Sequence, residues 1–258
     1  MINLYIHIWI ISPESRDIIR DMTDKRLAQI RRAEAFSHTK AYAELELFEE
    51  GSWLSKPVKT VMELIPHFTH YHRFTGLDLG CGVGRNCIPI LTQLHNIPCT
   101  MDCVDILNLA IMKLMDNAAK YHVDTAVHGV VCPVDSYQIQ ENNYDLILGI
   151  SVLEHLDSIA SLTQKLYQIM DGLRTNGIAC LVINTSIEER DATTNFPQPV
   201  QFEINLQTEE MTAILNRIFS EHEVLKCSIS HYQYDTFRES GIIKLDTDVL
   251  TYVVRKRS

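Results

Sequence analysis

The stretch Thr75-Gly76-Leu77-Asp78-Leu79-Gly80-Cys81-Gly82-Val83-Gly84-Arg85-Asn86 constrains this chain more than any other. Leu77 and Leu79 flank Asp78 in a short apolar run that reads as a buried strand, and glycines at every second position then lead into helix-like spacing. That order is a strand, a tight turn and a helix N-terminus. The turn calls for glycine because its backbone must reach positive φ and let a ligand come within van der Waals distance, where a Cβ would intrude. The spacing is G-x-G-x-G, not the G-x-G-x-x-G that seats a pyrophosphate on a helix N-terminus. Asp78, two residues before the first of these glycines, would repel a pyrophosphate and suits a ligand that carries an ammonium group.

Strand-like and helix-like segments alternate from there onward. Ile88, Leu91 and Leu94 mark a helix, and residues 100–104 form a second strand that ends at Asp105. Leu109, Met112, Met115 and Ala119 make the next helix, followed by a third strand over residues 126–131 with Asp135-Ser136 just beyond it. Residues 144–150 are a fourth strand, leading into Ser151-Val152-Leu153-Glu154-His155-Leu156. A stripe of Ile159, Leu162, Leu166, Ile169 and Leu173 precedes a fifth strand over residues 178–183. Residues 184–207, with Pro197 and Pro199, read as a long polar loop, and a loop of that length in a compact domain is usually functional. Thr208 is placed to cap a last helix through Met211, Ile214, Leu215, Ile218 and Phe219. Two β-like segments, residues 224–232 and 249–254, follow, with a turn at Glu239-Ser240-Gly241 between them.

Such alternation builds a doubly wound α/β fold with ligands at the carboxyl ends of the strands. The expectation is a Rossmann-like, mostly parallel seven-stranded sheet with a C-terminal antiparallel hairpin and an N-terminal helical extension. Asp105 lies 25 residues beyond Gly80, close to where doubly wound folds place an acid to accept hydrogen bonds from ribose hydroxyls.

Ahead of the glycine turn, residues 14–50 are charged and helix-rich, with Ile19, Met22, Ile30, Ala33 and Phe36 one or two turns apart, which predicts one or two amphipathic helices. Trp53 to Pro57 opens another helix through Val61, Leu64 and Ile65. The apolar run Met1 to Ile11 lacks the basic start and cleavage site of a signal peptide, and reads as an edge strand or as an upstream extension ahead of a start at Met22. His67, His70 and His72 have no acid or cysteine at matching spacing and read as a solvated linker. Residues 1–50 are therefore taken as an extension or lid, and residues 51–258 as the ligand-binding domain.

Charge narrows the partners. Acidic residues outnumber basic ones 33 to 23, for a formal charge of −10, whereas a nucleic-acid backbone demands a concentrated positive field. Seven cysteines without C-x-x-C spacing, mostly in apolar runs, read as reduced thiols of a cytoplasmic protein, and no apolar run is long enough for a bilayer.

The sequence Leu77-Asp78-Leu79-Gly80-Cys81-Gly82-Val83-Gly84, together with Ser151-Val152-Leu153-Glu154-His155-Leu156, resembles the class I S-adenosylmethionine (SAM)-dependent methyltransferases over roughly residues 53–257. Gly84-Arg85-Asn86 and the C-terminal hairpin look like the tellurite-resistance type of small methyltransferase, from whose compact pattern the long leading segment departs. The resemblance implies SAM as cofactor and S-adenosylhomocysteine as product. It implies that Asp78, Gly80, Cys81, Gly82, Gly84 and Asn86 hold the amino-acid end, and that Asp105 and Ile106 lie at the ribose. Asp135 and Ser136 would then meet the adenine, and Ile150 the sulfonium methyl.

In that setting a dedicated base is optional, and His155 is the better candidate because a near-neutral imidazole takes a proton at physiological pH. Glu154 reads equally well as a helix-start charge. After the fourth strand there is neither an Asp/Asn-Pro-Pro-aromatic run nor a Pro-Cys nucleophile. With the acidic balance, this favours methyl transfer by in-line displacement to a small-molecule acceptor. Transfer to tRNA or protein, and a SAM-binding sensor or partner module without catalysis, stand as alternatives, and a homodimer is left open.

Overall fold

The computed structural model describes residues 13–238 and 241–257, with side chains from Lys25 onward. The expectations for Met1 to Ile11, for the side chains of Ile19 and Met22, and for Glu239 and Ser240 in the turn lie outside the described residues.

A single helix α1 (Pro13–Glu44) leads the chain, where one or two helices were expected. Trp53–Ser55 is a 3-10 turn capped by the Ser52 side chain, and only Lys59–Leu64 forms a helix, α2. Pro57 between them has no N–H to donate, so the expected continuous helix is interrupted there. The alternating unit then runs β1 (Phe74–Leu79), α3 (Cys87–Gln93), β2 (Cys99–Asp105), α4 (Asn108–Lys120), β3 (Val127–Val131), β4 (Tyr144–Ile150), α5 (Ile159–Gly172) and β5 (Leu173–Asp191). A two-residue strand β6 (Pro197–Gln198), helix α6 (Thr208–Ile218) and strands β7 (Glu223–Arg238) and β8 (Gly241–Arg255) complete it.

The sheet has the order β3-β2-β1-β4-β5-β8-β7, with β6 paired to β5 as an eighth, marginal strand. The first five strands pair in parallel, while β8 lies antiparallel to both β5 and β7. Alternation along the strands divides the core. Leu146 and Leu148 pack with Phe74, Ile90, Leu114 and Val253 on the face covered by α2, α3 and α4. Leu77, Leu79 and Ile147 pack with Leu166, Leu215 and Tyr252 on the face covered by α5 and α6. Ser158 caps α5 by accepting from the Ser161 amide. For α6 the cap is Gln207, in a capping box with Glu210, rather than Thr208, which is the first helical residue.

The largest difference from the sequence reading is at the end of β5. Residues expected as a loop after Asn184 continue as strand to Asp191, with Glu188–Asp191 paired to residues 243–246 of β8. A register shift between Thr185 and Glu188, with Ser186 at φ 49, bends the strand so that Ile187 and Glu189 still point inward. β7 and β8 likewise run several residues beyond the apolar segments that marked them. The resulting three-stranded extension stands beyond α5 and α6 and is met by α1, to which Arg238 of β7 is paired through Glu34.

Candidate active site

The glycine turn sits where β1 ends. The amides of Gly80 and Cys81 donate to the Val104 carbonyl at 2.8 and 3.0 Å, so the turn is strung onto the end of β2. Gly80, Gly82 and Gly84 all adopt positive φ, at 68, 52 and 97°. A Cβ on Gly80 would fall 2.7 Å from the Val152 side chain, and one on Gly82 would fall 2.7 Å from the Tyr42 hydroxyl. The turn is thus enclosed by the loop after β4 on one side and by α1 on the other.

Asp78 is 1% exposed, and neither of its carboxylate oxygens has a hydrogen-bond partner. Burial, reinforced by the charge of Asp105, pushes its pKa up to about 8. A buried carboxylate without partners is costly, and a ligand ammonium is the group that would relieve it. Asp105, also buried, accepts from the Gly82 amide at 3.0 Å and from the Leu107 amide at 2.8 Å. Each oxygen retains a second lone pair, so hydroxyl donors still have acceptors there. Burial raises the pKa of Asp105 against the lowering effect of those amides. Ile106, beside it, is exposed, and Ile150 at the end of β4 is half-buried.

Other residues predicted from sequence are engaged elsewhere in the protein. Asn86 accepts from the Val58 amide at 3.0 Å and so fixes the approach to α2 on the glycine turn. The Cys81 thiol is buried, which pushes its pKa up to about 12. Asp135 lies 3.5 Å from the Arg31 guanidinium of α1, and the Ser136 amide donates to the Pro133 carbonyl at 3.0 Å. Arg31 also pairs with Asp157 and approaches Glu203 at 3.9 Å.

The loop after β4 differs from expectation in both of its notable residues. Glu154 is not a charge at a helix start: it lies in a three-residue 3-10 turn and is completely buried. One of its oxygens accepts from the backbone amide and the side-chain amide of Asn184, and the other, Oε2, has no partner. His155 stacks on Phe202 with centroids 4.9 Å apart and bonds through Nδ1 to Glu203 at 2.9 Å. Burial alone would lower its pKa, but the Glu203 hydrogen bond and the charges of Glu34 and Glu154 outweigh that and raise it to about 9. The near-neutral imidazole expected from sequence is therefore an imidazolium at neutral pH.

Helix α1 supplies much of what the sequence did not reveal. Arg238 of β7 bonds to Glu34 at 2.7 Å and to Glu189 at 2.9 Å, and Glu34 also meets His38 at 3.3 Å. Burial opposes ionisation of Glu34, yet its hydrogen bond to His38 and the charges of His155, His38 and Arg238 bring its pKa down to about 2. Tyr42 packs between His38 and Trp53, over which the Arg85 guanidinium lies at 5.7 Å. Spacing offered a trace of this, since Glu34, His38 and Tyr42 recur every four residues on one helix face. A groove of about 730 Å³ between α1 and the extended strands, lined by Gln29, Arg32, Gln198 and Gln201 among others, ends at the Arg238–Glu189 pair.

Strand order, glycine turn and the acid at the end of β2 together define a class I SAM-dependent methyltransferase fold. Residues 77–179 match the family model described as "Methyltransferase domain". The chain is similar in structure to TehB from Haemophilus influenzae, with a TM-score of 0.57 and 20% identity over 77% of this chain and 62% of that one. This chain thus spans a little under two thirds of TehB. It is also similar to 1,6-didemethyltoxoflavin-N1-methyltransferase from Burkholderia thailandensis, solved with 1,6-didemethyltoxoflavin and S-adenosylhomocysteine (TM-score 0.54, 15% identity, 96% of this chain and 91% of that one). The [4+2]-cyclase SpnF is a further neighbour, at a TM-score of 0.56 and 12% identity over 89% and 96% of the two chains. At these identities the likeness establishes the fold alone. No curated protein sequence matches the chain.

Among the described residues no helix is long and apolar enough to cross a membrane.

Proposed function

We propose that the protein is an enzyme that transfers a methyl group from SAM to a small-molecule acceptor by in-line displacement. The observation that carries the cofactor half is Asp78, a buried carboxylate with two unpartnered oxygens at the foot of a turn whose three glycines all adopt positive φ. Asp78 would hold the ammonium of the amino-acid end, with Gly80, Cys81, Gly82 and Gly84 as the floor and Asn86 fixing the far side of the turn. Asp105 and Ile106 would hold the ribose, Asp135 and Ser136 the adenine edge, and Ile150 would border the sulfur. Arg31 must yield Asp135 for that contact to form.

When bound, the sulfonium supplies an activated methyl group. The chain's own residues have to hold and align the two reactants and exclude water, and such alignment is worth ~7–11 kcal/mol. Tyr42 and the rest of α1 are placed to exclude water from the glycine turn, which supports reading residues 1–50 as a lid. His155, in its protonated form, stands on the acceptor side as a hydrogen-bond donor rather than as a base. The net acidic charge supports a small acceptor over a nucleic acid.

Calorimetric titration with SAM, S-adenosylhomocysteine and NAD tests the cofactor half. Saturable binding of the first two and none of NAD is expected, and binding of NAD alone would overturn the reading. Release of methylated product from a panel of small acceptors tests the enzyme half, and SAM binding with no product across the panel would leave a sensor or partner module.

A further inference from the structure

Glu154 is the residue whose surroundings are least explained by folding alone. It is completely buried, its backbone carbonyl is held by the Ile204 amide at 2.9 Å, and one carboxylate oxygen is clamped by Asn184 through two donors. The remaining oxygen, Oε2, has no partner. Removing a carboxylate oxygen from water without replacing its hydrogen bonds costs on the order of 1–3 kcal/mol or more, so a ligand donor at this place would recover a standing penalty.

The neighbouring charges determine what kind of donor fits. His155 is engaged by Glu203, Arg238 by Glu34 and Glu189, His38 by Glu34, and Arg31 by Asp135, Asp157 and Glu203. Each of these cations already faces a carboxylate, so an anionic acceptor would have to break an existing pair. Glu154 feels the charge of His155, but its carboxylate takes hydrogen bonds only from the neutral Asn184, so an ammonium N–H at Oε2 would complete it without displacing one. Phe202 stacks on His155, the next residue, and the Tyr234 hydroxyl feels the charges of Glu154 and Glu34.

We propose that Glu154 Oε2 is the acceptor anchor and that the acceptor is an amine that arrives as its ammonium. This rests on the methyltransferase reading above and names the substrate class of the same site. Once bound, the ammonium passes one N–H proton to Oε2. The nitrogen keeps the electron pair of that bond and becomes the neutral amine, and Glu154 becomes a neutral carboxylic acid. Burial raises the pKa of Glu154, which makes it a better proton acceptor than an ordinary surface glutamate. The imidazolium of His155 next to it cannot take that part.

The test uses full-length protein saturated with S-adenosylhomocysteine and three probes of one shape: benzylamine, benzyl alcohol and benzoate. Calorimetry should show benzylamine binding roughly tenfold or more tightly than benzyl alcohol, with benzoate weakest. Glu154→Gln should erase that preference and leave the affinity for S-adenosylhomocysteine within about twofold. Glu154→Asp, which keeps the charge, should retain part of the preference and decides the matter if Glu154→Gln does not fold. Equal binding of amine and alcohol, tighter binding of benzoate, or a preference that survives Glu154→Gln would overturn this inference alone. Failure to bind S-adenosylhomocysteine would overturn the methyltransferase reading, and this inference with it.

Discussion

The Asp105 carboxylate accepts the Gly82 amide at 3.0 Å, so the end of the second strand and the middle of the glycine turn form one mechanical unit. Replacing Asp105 by Ala removes that bond together with the acceptor proposed for the ribose hydroxyls. SAM affinity should fall by about 1–3 kcal/mol, the range for hydrogen bonds to a charged group. Calorimetry on the variant checks this, and unchanged affinity would refute the ribose assignment.

Gly82→Val tests the turn from the other side. Gly82 sits at φ 52, and a Cβ there would meet the Tyr42 hydroxyl at 2.7 Å. A β-branched side chain is strained at that φ and forces Tyr42 and the turn apart, which changes the turn proposed to hold the cofactor. Binding of SAM should be lost while circular dichroism still reports the folded sheet.

Asp78 makes stability depend on pH in a defined direction. Its pKa is about 8 in the fold against an ordinary 3.8, so its contribution is fully present below the lower value and is lost as pH rises through the higher one. Asp78→Asn should flatten the decline in melting temperature between about pH 4 and 8. In the native protein, binding of SAM near neutral pH should release a proton, read as a dependence of the calorimetric heat on the ionisation enthalpy of the buffer. Absence of that dependence would argue against an ammonium at Asp78.

His155 titrates at about 9 because of the carboxylates around it, chiefly its bond to Glu203. Glu203→Gln removes that bond and one charge while burial continues to disfavour the imidazolium. The His155 resonance should then titrate well below its native midpoint in an NMR pH series. The stabilisation this histidine gives, present at low pH and lost through about 9 in the native protein, should be lost at lower pH in the variant.

Arg238 joins the half-buried Glu34 of α1 to the buried Glu189 of β5. Arg238→Ala would leave Glu189 without its cation while Glu34 keeps His38, and removal of one partner from a buried pair costs about 3–5 kcal/mol. Urea denaturation should show a loss of that order, with α1 loosened from the extended strands.

The parts of this molecule that sequence revealed are those in which a local rule and the tertiary structure agree. Leu77, Leu79 and the run Tyr144 to Ile150 lie in strands buried on both faces, so their apolar continuity was sufficient to place them. Asp78 and the glycines were legible because the turn geometry restricts residue type. The end of β5 was not, because Glu188 to Asp191 are polar residues whose strand conformation is imposed by pairing to a segment more than fifty residues away. Glu154 and His155 were recognisable as a place but not as states. Their ionisation is set by Glu34, Glu203 and Asn184, which come from three distant parts of the chain.

The position of β8 between β5 and β7 gives synthesis of this protein a particular order. β7 leaves the ribosome before the strand that will join it to the sheet, so the edge of β5 and the whole of β7 wait for residues 241–255. The parallel half can assemble as it emerges, while closure of the sheet waits for β8. An arrest or truncation ahead of Gly241 would therefore leave β5 and β7 open to other chains at the same time.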